Sequence, residues 1–159
     1  MRAIFRNEEE SAYVFWAQIP VQLTYQRSLY ECIDQVVAMA FVVHSNEEGA
    51  TLVELQNQIL DIRWELHWDR DELVIKSLFS ARDDLYAPYA ETLNRHAQLR
   101  MPRAVFLSEW HTLLHQIVVA IREANIEIED GTERRKWELL QRLDEQIEGY
   151  GQLYTRRAS

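Results

Sequence analysis

Glycine and proline are scarce in this chain, four and three among 159 residues, against an average usage of about 7% and 5%. Turns that depend on special backbone angles should therefore be few, which favours a handful of long elements over many short strands. A single cysteine, Cys32, excludes an internal disulfide and every multi-cysteine zinc site. Glycine-rich phosphate loops, GxSxG, HExxH, CxxC and EF-hand loops are all missing, so a backbone cradle for nucleotides is excluded and no cofactor is expected. Long apolar runs are missing too. The longest, from Val36 to Val43, is too short to span a bilayer, and the start, MRAIFRNEEES, has no signal-peptide core. The expectation is a cytoplasmic chain with no membrane partner.

Positive charge is the scarcer sign. Seventeen Lys and Arg oppose 26 Asp and Glu, a net −9, which repels phosphate backbones and argues against nucleic-acid binding. The same charge suits an acidic face that meets a basic partner.

What is present favours helix. Leu, Glu, Gln, Arg and Ala dominate, all good helix formers. At about 100° per residue, Leu29, Ile33, Val36, Val37, Ala40 and Phe41 share one side of a helix over 21–44. SNEEG at 45–49 supplies a loop, with Gly49 as its flexible point. Thr51-Leu52-Val53-Glu54 has capping-box spacing, and Leu52, Leu55, Ile59, Ile62 and Leu66 then recur every three or four residues. A competing pattern overlaps it: Leu60, Ile62, Trp64, Leu66 and Trp68 alternate with polar residues, as a half-buried strand does. The seam is longer and has a start signal, so helix is the expectation. A helical pattern resumes over Leu73–Leu85, and another continues through Tyr89, Leu93 and Leu99. Phe106, Trp110, Leu113, Leu114, Ile117, Ile121 and Ala124 give the cleanest amphipathic helix, over 103–124. NIEIEDG at 125–131 is an acidic linker. Thr132 caps a last helix with a stripe of Leu140, Leu143, Ile147, Tyr150 and Tyr154. Residues 1–20 admit either a helix from an Asn7 cap to Pro20 or a hairpin. The expected fold is all-α, one helical domain over 1–159 with four to six helices; the alternative is α+β, with a hairpin in 1–20, in 60–79 or in both.

Few residues carry chemistry. His111 and His115, four apart in EWHTLLHQ, are the one metal-like spacing, with His44 or His67 as a conceivable third ligand. On the helical wheel both fall on the flank of the apolar face, so solvent-edge histidines are expected and no metal. His44 should cap the end of its helix as an imidazolium. Cys32 has no neighbour to lower its pKa and reads as a packed thiol. Acid pairs such as Glu65 with Asp69, or Asp83 with Asp84, belong to solvated faces. The helix over 51–72, apolar on two sides, is the feature with a functional reading. Leu60, Trp64 and Trp68, bordered by Asp69, Asp71 and Glu72, form an apolar-plus-acidic partner-binding face.

Three readings follow. The first is a non-enzymatic module that occludes a basic protein partner, of the immunity-protein, antitoxin or regulatory-adaptor type. The second is a metal-dependent helical-bundle enzyme using His111 and His115. The third is a self-associating structural protein, a homodimer through the same tryptophans.

Overall fold

A computed structural model describes residues 11–124 and 131–155. Among the described residues there are six strands and four α-helices, which overturns the all-α expectation. β1 (Ser11–Trp16) and β2 (Ile19–Thr24) form a two-stranded hairpin. A wide, π-helical turn at 25–29 leads into α1 (Tyr30–Ser45). β3 (Gly49–Gln56), β4 (Leu60–Trp68) and β5 (Glu72–Ala81) then run as an antiparallel meander. α2 (Ala87–Asn94) precedes β6 (Gln98–Pro102), which completes a four-stranded sheet in the order β3-β4-β5-β6. α3 (Arg103–Glu123) and α4 (Gly131–Thr155) follow. The Asn7 cap and most of the 125–131 linker lie outside the described residues.

The stretch that carries two incompatible patterns obeys the alternation. Every second residue of β4, Leu60, Ile62, Trp64, Leu66 and Trp68, is buried, and every residue between them is exposed. The 3-4 seam from Leu52 to Leu66 is split between β3 and β4, and Leu52 faces solvent at 50% exposure. Local spacing and a capping box cannot compete with two flanking strands that satisfy the whole backbone ladder.

Scarcity of glycine does not prevent turns here, because other residues build them. The β3–β4 turn closes on Asn57, whose Oδ1 accepts from the backbone N–H groups of Ile59 and Leu60 at 2.9 and 2.7 Å. The β4–β5 turn closes on Asp69, whose Oδ1 accepts from Asp71 and Glu72 at 3.0 and 2.9 Å. Those N–H groups hold the Asp69 carboxyl below the usual carboxylate range. Both are side-chain turns of the Asx kind. At the β1–β2 turn, Ala17 and Gln18 take positive φ values of 48° and 70°, the mirror-image turn that suits a hairpin's twist. Gly49 is not a hinge. It starts β3 opposite Trp68, and a Cβ there would meet the indole at 2.6 Å.

One face of the sheet packs against α1 and α3. Trp16 of the hairpin stacks on Trp64 at 5.8 Å between ring centroids, and Trp64 meets Trp110 of α3 edge-on at 6.2 Å. The hairpin is tied down by Trp16 Nε1–H donating to the His96 carbonyl at 2.8 Å and by Asn57 Nδ2–H donating to Gln22 at 3.0 Å. At the β3 edge, Gln35 of α1 accepts from the Glu54 N–H at 2.9 Å, covering a group that would otherwise be open to pairing. Beyond the end of β6, Asn94 bonds both the N–H and the carbonyl of Phe79, so a side chain continues the ladder.

α3 is the one described helix long and apolar enough by composition to cross a membrane. Its Phe106, Leu107, Trp110, Leu114, Ile117 and Val118 are instead buried in the protein. At its start the buried Arg103 donates to the carbonyls of Val43 and His44 at 2.9 and 3.0 Å. These are the last carbonyls of α1, so a guanidinium satisfies that helix end. The capping role expected of His44 therefore belongs to Arg103. Burial first, and then the Arg103 charge, lower the His44 pKa.

Candidate metal centre

α3 places His111 and His115 one turn apart, and α4 lays its apolar side over that flank. Leu140 and Leu143 of α4 are buried, and Asp144 beside them is buried as well, at 6% exposure. The carboxylate is directed at both imidazoles. His111 Nε2 lies 3.1 Å from Asp144 Oδ1, and His115 Nδ1 lies 2.8 Å from the same oxygen. The two rings are tilted by 38° with centroids 5.7 Å apart. Side-chain exposure rises from 8% at Asp144 through 17% at His111 to 44% at His115. The cluster is thus closed on the helix–helix side and open beside His115.

The donor set fits a transition ion. Two nitrogens and one carboxylate oxygen converge with all three ligand atoms within 4.8 Å of one another. A tetrahedral ion with bonds of about 2.0–2.2 Å spaces its donors by roughly 3.3–3.6 Å. The two N–O separations, 3.1 and 2.8 Å, must both open to reach that range, the shorter by about half an ångström or more. Imidazole with carboxylate suits Zn²⁺, Co²⁺, Ni²⁺ or Fe²⁺ better than the all-oxygen cages of Mg²⁺ or Ca²⁺.

The sequence places the two histidines at the flank of the apolar face, where they are; α4 covers His111 there, while His115 stays at the solvent edge. Neither suggested third ligand joins them. His67 is on the exposed face of β4, 2.8 Å from Glu65, and His44 is at the end of α1 beside Arg103. The ligand that sequence reasoning missed is Asp144. Its signal was present: position 144 is four residues after Leu140 and three before Ile147, a carboxylate on an apolar stripe. Burying a carboxylate there is costly unless it is paired or bound to an ion. The side chains of Ile147, Tyr150 and Tyr154 lie outside those described.

The partner-binding face expected over 60–72 is not assembled. Leu60, Trp64 and Trp68 are 0%, 3% and 7% exposed, part of the core under α1 and α3. Trp68 Nε1–H is bonded to the Asn46 carbonyl at 3.0 Å. Asp69 and Asp71 are exposed and Glu72 half-buried in the β4–β5 turn, where Glu72 pairs with Arg100. Arg70 pairs with Glu47 at 2.6 Å. Acidic residues and tryptophans belong to adjacent parts of one hairpin, with opposite exposures. Cys32 is buried, donates to the Ser28 carbonyl at 2.6 Å, and has its thiol pKa raised by burial, which makes it a poor nucleophile.

No family model, curated protein or solved structure matches this chain.

Proposed function

We propose that this protein binds a divalent transition cation of the Zn²⁺ class at His111, His115 and Asp144. The observation that supports this reading is the convergence of two imidazole nitrogens on one buried carboxylate oxygen, at 3.1 and 2.8 Å. Three protein donors leave a tetrahedral ion one position for solvent, and the more exposed His115 edge is where solvent reaches it. Such a site is open, unlike the four-ligand closed sites of zinc fingers.

Equilibrium dialysis of untagged protein against buffered Zn²⁺, with bound metal measured by mass spectrometry, tests the assignment. One ion per chain is expected. His111→Ala and His115→Ala should each weaken binding by more than the roughly 10–100-fold that loss of an outer partner costs, and Asp144→Asn should do the same. Substoichiometric metal, or full binding retained in these variants, overturns the reading.

Docking of a basic protein partner ranks second. What favours it is the open groove lined by Glu47, Glu48, Asp69 and Asp71 at one end of the sheet. Its intended apolar half is core, and two of the neighbouring acids are already matched by Arg70 and Arg100.

A further inference from the structure

A groove of about 360 Å³ opens where the first turns of α1 meet the β3 edge and the outer face of the sheet. That volume is in the range of small-ligand sites, about 300–1,000 Å³. Its polar rim is already tied together. Gln56 Nε2–H donates to Glu31 of α1 at 3.1 Å, and Arg82 donates to Gln56 Oε1 and, at 2.8 Å, to Asp61. Gln35 accepts from the Glu54 N–H. The next acid along this face, Glu65, is taken by His67 at 2.8 Å, and Arg63 is the least of the charges that act on it. Two charged heads in the groove stay uncommitted. The Glu54 carboxylate and the Arg63 guanidinium make no hydrogen bond or ion pair among the described residues, although they face one another across β3 and β4.

The ladder fixes how close these two residues are. Asn57 N–H donates to the Leu60 carbonyl, so Leu55 with Ile62 and Val53 with Trp64 are hydrogen-bonded rungs, and Glu54 with Arg63 is a non-hydrogen-bonded one. Such rungs bring side chains closest, with Cβ atoms about 4.5–5.5 Å apart. An anion and a cation at that spacing match the ammonium and the carboxylate carried on one carbon. Leu78 of β5 lies opposite Arg63 on its other side, 55% exposed, and adds apolar surface beside the pair. We propose that this groove binds a free α-amino acid with an aliphatic side chain. Glu54 accepts from its ammonium, Arg63 donates to its carboxylate through the guanidinium fork, and Leu78 packs against its side chain. A direct Glu54–Arg63 pair at so exposed a position would add little, so the ligand displaces nothing of consequence. The proposal does not depend on the metal-binding reading.

An amide-resolved NMR titration of the full chain tests it, with leucine, with leucinamide, which lacks the carboxylate, and with 4-methylpentanoate, which lacks the ammonium. Leucine should give saturable shifts centred on residues 54–56, 61–63 and 78–80, which line the groove. Either analogue should bind roughly tenfold or more weakly. Arg63→Gln and Glu54→Gln should each weaken leucine binding by roughly 10–100-fold, as loss of a hydrogen bond to a charged group does, with the α3 amides at their wild-type positions to show that the fold is intact. Leu78→Ser should weaken leucine more than glycine. The absence of a saturable shift up to the solubility limit of leucine, shifts centred elsewhere, equal binding of either analogue, or unchanged affinity in the Arg63 and Glu54 variants overturns the proposal.

Discussion

The β4–β5 hairpin and the α3–α4 pair are held together by different physics. In β4 every second residue is apolar and sealed, the polar ends of the hairpin are spent on turn construction, and the ladder runs on both sides of β4. Removal of a charge from its exposed face, apart from the turn-building Asp69, should matter little. In the helix pair, the described side chains of α4 include two buried leucines and a buried carboxylate, and the carboxylate meets two histidines of the neighbouring helix. The hairpin rests on the apolar surface it buries, whereas the described part of the helix pair adds a buried polar cluster to its apolar packing. That difference explains why the tryptophans, conspicuous in the sequence, belong to the scaffold, while the two histidines take part in the candidate site.

The sharpest way to break the comparison is Trp64→Ala. Trp64 sits between Trp16 and Trp110, so truncation opens a cavity at the junction of hairpin, sheet and α3. A loss of about 3–5 kcal/mol is expected, measured by urea unfolding, and it should lower the protection of sheet and helices together. A loss confined to α4 would show that the tryptophan stack is not the common core.

Gly49→Ala is expected to cost less, about 1–3 kcal/mol, because the added Cβ would press on the Trp68 ring at the β3–β4 pairing. Trp68 would have to shift from its bond to Asn46. An unchanged urea midpoint would mean that this end of the sheet yields freely, contrary to the packing described.

The smallest effect expected is a pH dependence at His44. Its folded pKa lies below its ordinary value, chiefly through burial and then through the Arg103 charge. The unfolded chain therefore binds the proton more readily, so stability is full above about pH 6.5 and declines as pH falls through that value towards the folded pKa. His44→Gln should flatten this part of the stability–pH curve in chemical denaturation at several pH values. A curve for the variant that still falls as steeply over the same window would place the proton uptake elsewhere.

Patterns confined to a single segment were legible in the sequence. The 3.6-residue spacing over 103–124 matches α3, where Phe106, Trp110, Leu114 and Ile117 are buried as the wheel requires, although Ala124 is exposed. Most of α1 and the existence of a last helix follow from the same spacing. The strand alternation of β4 was equally visible, and so was His111 one turn from His115. What local reasoning could not do was choose between the seam and the alternation over 51–68. That choice depends on whether residues 72–81 supply a matching ladder, and a pairing energy between distant segments leaves no trace in either one alone.

Composition and periodicity by themselves determined that the chain has an apolar interior, and they placed most of α1, α3 and a last helix, while the further helices they suggested over 51–85 are strands. Only the tertiary structure decided that Asn57, Asp69 and the pair Ala17–Gln18 do the work glycine usually does, that Arg103 rather than His44 closes α1, and that Asp144 meets two histidines from another helix. The reason is the same in each case. Side-chain periodicity is set by backbone geometry within one element, whereas the pairing of a buried polar group is set by whichever element packs against it.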